Sequence, residues 1–203
     1  MSDFFLWLTA AYVLGSVPAS YLAGRFGAHI DLRNHGSKSL GATNVQRVLG
    51  WKYSVPVGLF DIAKGSVAAS VFGARAGDAA WMPLVVGVAA VLGHVFSAFL
   101  GFSGGKGVAT AAGVVLVLAP QALGLSALIW LLTFVASGYV SLASMVSAVA
   151  FPLAAWVTSP NNYYTIAVGA GLAAFILVTH RSNIRRLVAG TENRFRGFGR
   201  GVG

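Results

Sequence analysis

Residues 104–110 read Gly-Gly-Lys-Gly-Val-Ala-Thr, placing three glycines and one cation at the mouth of an apolar segment. Glycine lets backbone N–H groups come close to an anion, the start of the following helix adds partial positive charge, and Lys106 supplies a full one. The chemistry this suits is the holding of a phosphate by Gly104, Gly105, Lys106 and Gly107. A Walker A loop does not fit, because Leu100 stands where its first glycine belongs and Gly107 where its hydroxyl residue belongs, so nucleotide hydrolysis is not expected. The competing reading is close helix packing through glycine, with Lys106 as a topology signal.

Three further groups of residues bear on the same chemistry. Residues 36–47 mix small hydroxyls, an amide and cations: Arg47 can grip a phosphate through two N–H groups, while Ser37, Thr43 and Asn44 add neutral donors. The alternative is a turn-rich loop whose basic residues meet lipid headgroups. Asp61 and Lys64 share a helix face and are expected to neutralise each other, with substrate contact by Lys64 as the alternative. His94 either carries a proton or satisfies a helix end, the latter being favoured. Ser141 and Ser144 suit helix packing as readily as ligand binding. His180 and Asn183 share a face: a neutral imidazole can take a hydroxyl proton, Asn183 can orient an oxygen, and Glu192 can fix a nearby cation or the tail's fold. The bland alternative is a basic interfacial helix carrying Arg181, Arg185 and Arg186. There is no cysteine, which rules out disulfides and thiolate catalysis, and His29, His35, His94 and His180 lack metal-ligand spacing, so neither a metal nor a cofactor is expected.

The elements that must position these residues are membrane helices. Of the residues 57% are hydrophobic and 9% charged, and the mean hydropathy is +0.76, outside the range of soluble domains. Apolar runs at 4–23, 55–74, 81–100, 108–119, 121–136, 142–158 and 163–179 predict an all-α integral membrane protein of about seven spans. A full crossing needs roughly 20 residues. The two runs between 108 and 136 are short and form a hairpin about Pro120, the kind of broken helix that lines a cavity. The first run could instead be a signal peptide, but it lacks a basic leading region. Lys and Arg crowd one side, leaving Arg75 opposite, which puts the N-terminus outside and the C-terminus in the cytoplasm. Four polar segments (24–50, 101–107, 137–144 and the tail from 180) then open on the cytoplasmic face. The net charge of +9 sits in short loops between spans rather than on an aromatic platform, so the partners expected are anionic lipid and anionic substrate, not nucleic acid. A transporter of phosphorylated solutes would need polar access on both faces, which Arg75, Asp78 and residues 159–162 scarcely offer. A purely structural membrane protein leaves the Gly/Ser/Thr/Asn/His pattern unexplained. One domain over 1–203 is expected, with a disordered end at 197–203.

In order and spacing these blocks resemble the acyl-phosphate:glycerol-3-phosphate acyltransferase family of bacteria, the PlsY type. The resemblance runs nearly end to end, through Gly15-Ser16-Val17-Pro18, Gly36-Ser37, Gly41-Ala42-Thr43-Asn44 with Arg47, Asp61 to Gly65, Gly93-His94, Gly104 to Thr110, Ser141 to Ser144, and His180, Asn183, Arg186, Gly190 and Glu192. Two departures stand out. Lys38-Ser39 replaces the family's usual Gly-Asn, and Phe96-Ser97 replaces Phe-Pro, leaving the local helix end in doubt. The resemblance implies transfer of a fatty acyl group from acyl phosphate to the 1-hydroxyl of sn-glycerol 3-phosphate, giving lysophosphatidic acid and phosphate at the bacterial inner membrane. It implies His180 and Asn183 at the hydroxyl, phosphates held by Ser37, Arg47, Lys106 and Ser144, and no obligate protein partner. The donor is already activated, so no enzyme nucleophile is needed, and positioning alone can yield roughly 7–11 kcal/mol. Either His180 or a substrate phosphate can serve as the base. The hairpin about Pro120 is the expected wall of the acyl groove.

Overall fold

The computed structural model describes residues 2–195, and the expected disordered end at 197–203 lies outside them. Among the described residues every regular element is helical. The chain runs through α1 (Ser2–Ser16), α2 (Ala19–Gly27), α3 (Ala42–Leu49), α4 (Trp51–Val67), α5 (Gly73–Ala76), α6 (Met82–Val95), α7 (Val108–Leu118), α8 (Pro120–Ser137), α9 (Val140–Thr158), α10 (Tyr163–Thr179) and α11 (Arg181–Val188). A π-turn over Ala68–Phe72 joins α4 to α5, so that Trp51–Ala76 is one long rod.

Five segments are long and apolar enough to cross a bilayer: Asp3–Gly27, Trp51–Ala76, Met82–Leu100, Pro120–Ser137 and Val140–Thr158. A sixth forms if α10 and α11 count as one span bent by 59°. The expected run at 108–119 is helical but only 11 residues long. Pro120 opens α8 at its first position, where the missing N–H costs nothing, and the two helices line the same cavities.

The segment from 24 to 50, read as a loop, holds a helix that hydropathy does not reveal. α3 is too polar to be a span, yet Val45, Val48 and Leu49 recur at helical spacing and pack with Leu32, Leu40 and Val57. Gly41 and Gly50 bound it. Between α2 and α3 the backbone turns at Lys38, where φ is +59°. This left-handed conformation explains why a glycine is usual at that position and makes the lysine a strained substitute.

The replacement of proline by Ser97 does not abolish the helix end. Ser97 has φ −64°, the value proline would impose, α6 stops at Val95, and the Ser97 hydroxyl donates to the Ser16 carbonyl at 2.6 Å. Elsewhere, spans approach through small residues. A methyl on Gly113 would strike the Ile62 carbonyl, which locks α7 against α4.

Candidate active site

Three helix starts meet around one cavity of about 400 Å³. α3 presents Gly41, Ala42 and Thr43; α7 presents Gly107, Val108 and Ala109; α11 presents its N-cap, His180. Each start carries backbone N–H groups without intrahelical partners and the positive end of a helix dipole. Gly107 makes the α7 start possible, because its φ of +83° turns the chain sharply out of the Lys106 loop. The four polar segments expected to converge do so here, for Ser37, Arg47, Lys106, Ser141, Ser144, His180, Asn183 and Glu192 all line the same space.

The polar side chains form a chain of contacts. Lys106 Nζ donates to Asn183 Oδ1 at 2.6 Å, and Asn183 Nδ2 donates to Glu192 Oε1 at 2.7 Å. Ser141 Oγ donates to the same carboxylate oxygen at 2.9 Å, and Arg186 Nε to Oε2 at 2.7 Å. Burial would raise the Glu192 carboxyl, but these donors hold it below its usual range. The Lys106 ammonium is pushed down to about 8, chiefly by burial, with Glu192 opposing and Arg186 and Arg47 adding to the depression. Burial also draws Arg47 downward, although a guanidinium stays charged. With Arg47, Lys106 and Arg186 set against Glu192 alone, the cluster has an excess of two positive charges. A phosphate near −2 matches that excess.

His180 is buried, and its Nδ1 lies 2.8 Å from the Ile176 carbonyl. A carbonyl only accepts, so Nδ1 carries the proton and Nε2 keeps its lone pair. Burial and the Lys106 charge push the imidazole down to about 4, so it is neutral at pH 7. The Thr179 hydroxyl donates to the Lys106 backbone carbonyl at 3.1 Å, tying the end of α10 to the glycine loop.

Several expected ligands have other commitments. Asn44 Oδ1 accepts from the Ser37 N–H at 2.8 Å, and its Nδ2 donates to the His35 carbonyl at 3.1 Å and that of Leu32 at 3.4 Å. Its amide therefore knots the 32–37 loop and aims Ser37, rather than facing a ligand. Ser144 Oγ donates to the Val140 carbonyl at 2.8 Å and accepts from Trp130 Nε1 at 3.2 Å, joining α9 to α8. Gly104 and Gly105 do not line the large cavity. They pack against His94, and the Gly105 N–H donates to the His94 carbonyl at 3.0 Å, so only Lys106 and Gly107 of that loop face the cavity.

Asp61, Lys64 and His94 form a second buried group, of which Asp61 and His94 also border the large cavity. Asp61 Oδ1 lies 2.8 Å from Lys64 Nζ, in ion-pair contact but out of line for a hydrogen bond, and 3.4 Å from His94 Nδ1. Lys64 Nζ also meets His94 Nδ1 at 2.8 Å and donates to the Val17 carbonyl at 3.3 Å. This is the neutralised pair that the spacing predicts.

Sequence reasoning read Arg186 as part of a basic interfacial helix, left Ser141 between helix packing and ligand binding, and did not single out Ser126. The sixfold separation of Arg186 from Glu192 across the Gly190 turn was the signal for the first. A second, apolar cavity of about 70 Å³ lies between α7, α8, α9 and α10 and shares six lining residues with the first.

The model of the family described as glycerol-3-phosphate acyltransferase matches residues 5–190. The chain is 39% identical to the glycerol-3-phosphate acyltransferase of Chlorobaculum parvum, with 98% of this chain and 99% of that protein covered. With the enzyme of the same name from Chlorobium phaeovibrioides it shares 42% identity over 92% of this chain and 94% of the relative. Among solved structures it is similar to PlsY (YgiH), an integral membrane glycerol 3-phosphate acyltransferase. The glycerol 3-phosphate form superposes with a TM-score of 0.86 at 38% identity, covering 95% of this chain and 96% of that one. The lysophosphatidic acid form gives 0.83 at 36% identity, with 95% of each chain covered. Helix starts around a cation-lined cavity beside an apolar slot, in an all-helical bundle with membrane-length spans, agree with those matches, and the chain belongs to the glycerol-3-phosphate acyltransferase family.

Proposed function

We propose that this protein transfers a fatty acyl group from acyl phosphate to the 1-hydroxyl of sn-glycerol 3-phosphate, releasing lysophosphatidic acid and inorganic phosphate. The observation that carries this reading is the joining of a cation-rich cavity, ringed by the starts of α3, α7 and α11, to an apolar cavity between membrane helices. A phosphate and a lipid tail can be held side by side only where such spaces meet. Crowding of Lys and Arg into the loops on this side supports a cytoplasmic site in the bacterial inner membrane.

In this mechanism Arg47, Lys106, Ser37 and Thr43 hold phosphate oxygens, and Asn183, steadied by Glu192, keeps Lys106 aimed. The glycerol hydroxyl oxygen attacks the acyl carbonyl carbon, the bond from that carbon to the bridging oxygen breaks, and phosphate departs with the electron pair. His180 Nε2 accepts a hydrogen bond from the hydroxyl and orients it. The hydroxyl proton passes to the departing phosphate, whose oxygens are basic at neutral pH. Purified protein in detergent, given acyl phosphate and radiolabelled glycerol 3-phosphate, is expected to form lysophosphatidic acid. Turnover with an acyl thioester but not acyl phosphate would overturn the donor, and no product from either would overturn the reaction.

A further inference from the structure

The two cavities share Val108, Ala112, Leu123, Ser126, Ser144 and Ser147, and these residues form the neck between polar and apolar space. In any acyl donor with a phosphate head, the carbonyl is the group between head and tail. It therefore sits at the neck once both ends are seated. Three of the neck residues carry hydroxyls, but two are spent: Ser144 donates to the Val140 carbonyl at 2.8 Å and Ser147 to the Ser144 carbonyl at 3.2 Å. Ser126 Oγ is buried without any partner.

That state is unusual for this chain. Thr9, Ser16, Ser70, Ser137, Ser144 and Thr158 each turn their hydroxyl back to the carbonyl four residues earlier, at 2.6–2.9 Å. Such back-bonding is the ordinary fate of a serine or threonine in a membrane helix. Ser126 lies on the narrow inward stripe of α8, where Ala122 and Ser126 are the buried positions of a helix that otherwise faces lipid. Ser20 and Thr110 also hold buried hydroxyls without partners, but neither lines these two cavities. A buried O–H left unbonded is unfavourable, and at a cavity neck it is a donor waiting for an acceptor.

We infer that Ser126 Oγ donates a hydrogen bond to the acyl carbonyl oxygen and stabilises the negative charge that builds there during transfer. This rests on the reading of the site as an acyltransferase. Ser126 keeps its proton throughout. The glycerol oxygen forms its bond to the carbonyl carbon, the carbonyl electron pair moves onto the oxygen facing Ser126 and returns as phosphate leaves, and the hydroxyl proton ends on that phosphate.

The test is Ser126→Ala, examined by kinetics and by a pair of inhibitors. One inhibitor is an acyl phosphonate, which keeps the carbonyl, and the other an alkyl phosphate, which lacks it. Loss of one preorganised donor is expected to lower kcat about 100-fold, leave KM for glycerol 3-phosphate unchanged, and weaken the acyl phosphonate several-fold while sparing the alkyl phosphate. Removing an unsatisfied hydroxyl leaves Tm in detergent unchanged or raised. Wild-type kcat in the variant, or equal weakening of both inhibitors, would overturn the assignment by making Ser126 a packing residue. Should the variant not fold, the carbonyl stretch of the acyl phosphonate bound to wild-type protein decides: lower frequency than in detergent supports the bond, and no shift overturns it. The inhibitor measurements need no turnover, so failure of the acyltransferase reading itself would appear separately, as a wild-type protein inactive with acyl phosphate.

Discussion

Two charge clusters lie in the helical bundle, and they differ in stoichiometry. Around Asp61 one carboxylate meets one ammonium and an imidazole, and Lys64 and Asp61 are each about 2% exposed. Around Glu192 one carboxylate pairs with Arg186, reaches Lys106 through Asn183 and feels the charge of Arg47, and both clusters border the 400 Å³ cavity. A balanced set is complete within the folded chain. An unbalanced one is completed by an anion, and this difference in charge separates scaffold from site better than burial or access to the cavity does.

The sharpest way to break that contrast is Asp61→Ala. Leaving Lys64 buried without its carboxylate should destabilise the protein by about 3–5 kcal/mol, read as a large fall in Tm in detergent, while the folded fraction keeps its KM for glycerol 3-phosphate. A doubly apolar replacement, Asp61→Leu with Lys64→Met, should recover most of that stability. If instead it abolished activity in a well-folded protein, the balanced cluster would belong to the site. Lys106→Ala should do the reverse: Tm holds or rises as cation repulsion is relieved, and kcat/KM falls by about 2–4 kcal/mol of transition-state binding, or roughly 30- to 1,000-fold. Wild-type kinetics in that variant would remove Lys106 from the site.

A smaller effect is expected from pH. With Lys106 near 8, the proton is lost as pH rises through 8, and KM for glycerol 3-phosphate should climb up to tenfold per unit above it. The sign for stability is opposite. Between pH 8 and about 10.5 the unfolded chain holds a proton that the folded one has lost, so the contribution of this group to stability rises with pH. A pH-independent KM between 7 and 10 would contradict the excess-charge picture. The smallest effect belongs to Lys38→Gly, which should add about 1 kcal/mol to stability by relieving the left-handed strain, read as a small rise in Tm.

Hydropathy was enough to find the membrane helices, because a run such as 142–158 has no other way to bury its backbone. It could not find α3, whose polarity hides a helix visible only in the spacing of Val45, Val48 and Leu49. Among site residues, charges were legible, because Lys106, Arg47 and Glu192 have few reasons to gather under a membrane surface. Amides and hydroxyls were not. Asn44 and Asn183 look alike in a sequence, yet one spends its amide on the 32–37 loop and the other lies between Lys106 and Glu192. Ser144 and Ser126 are likewise indistinguishable until their hydroxyl partners are known. Glycines carry the same ambiguity: Gly107 turns the chain toward the cavity, while Gly105 makes room for His94.

The brevity of α7 has a consequence for depth. Its 11 residues against the 18 of α8 make lengths of about 16 and 27 Å at ~1.5 Å per residue. Val108 at the start of α7 and Trp130 in α8 line the same cavity, so about the last two turns of α8 extend beyond the level that α7 reaches if the two lie side by side. In a bundle standing upright in a ~30 Å hydrocarbon core, the Lys106 loop would then lie below the level of the Gly138 turn. A water-soluble acceptor would be lowered to the level at which fatty chains begin, instead of a fatty chain being lifted into water. A fluorophore placed beside Gly107 should accordingly be quenched by lipids brominated near the top of their tails and not by a headgroup quencher.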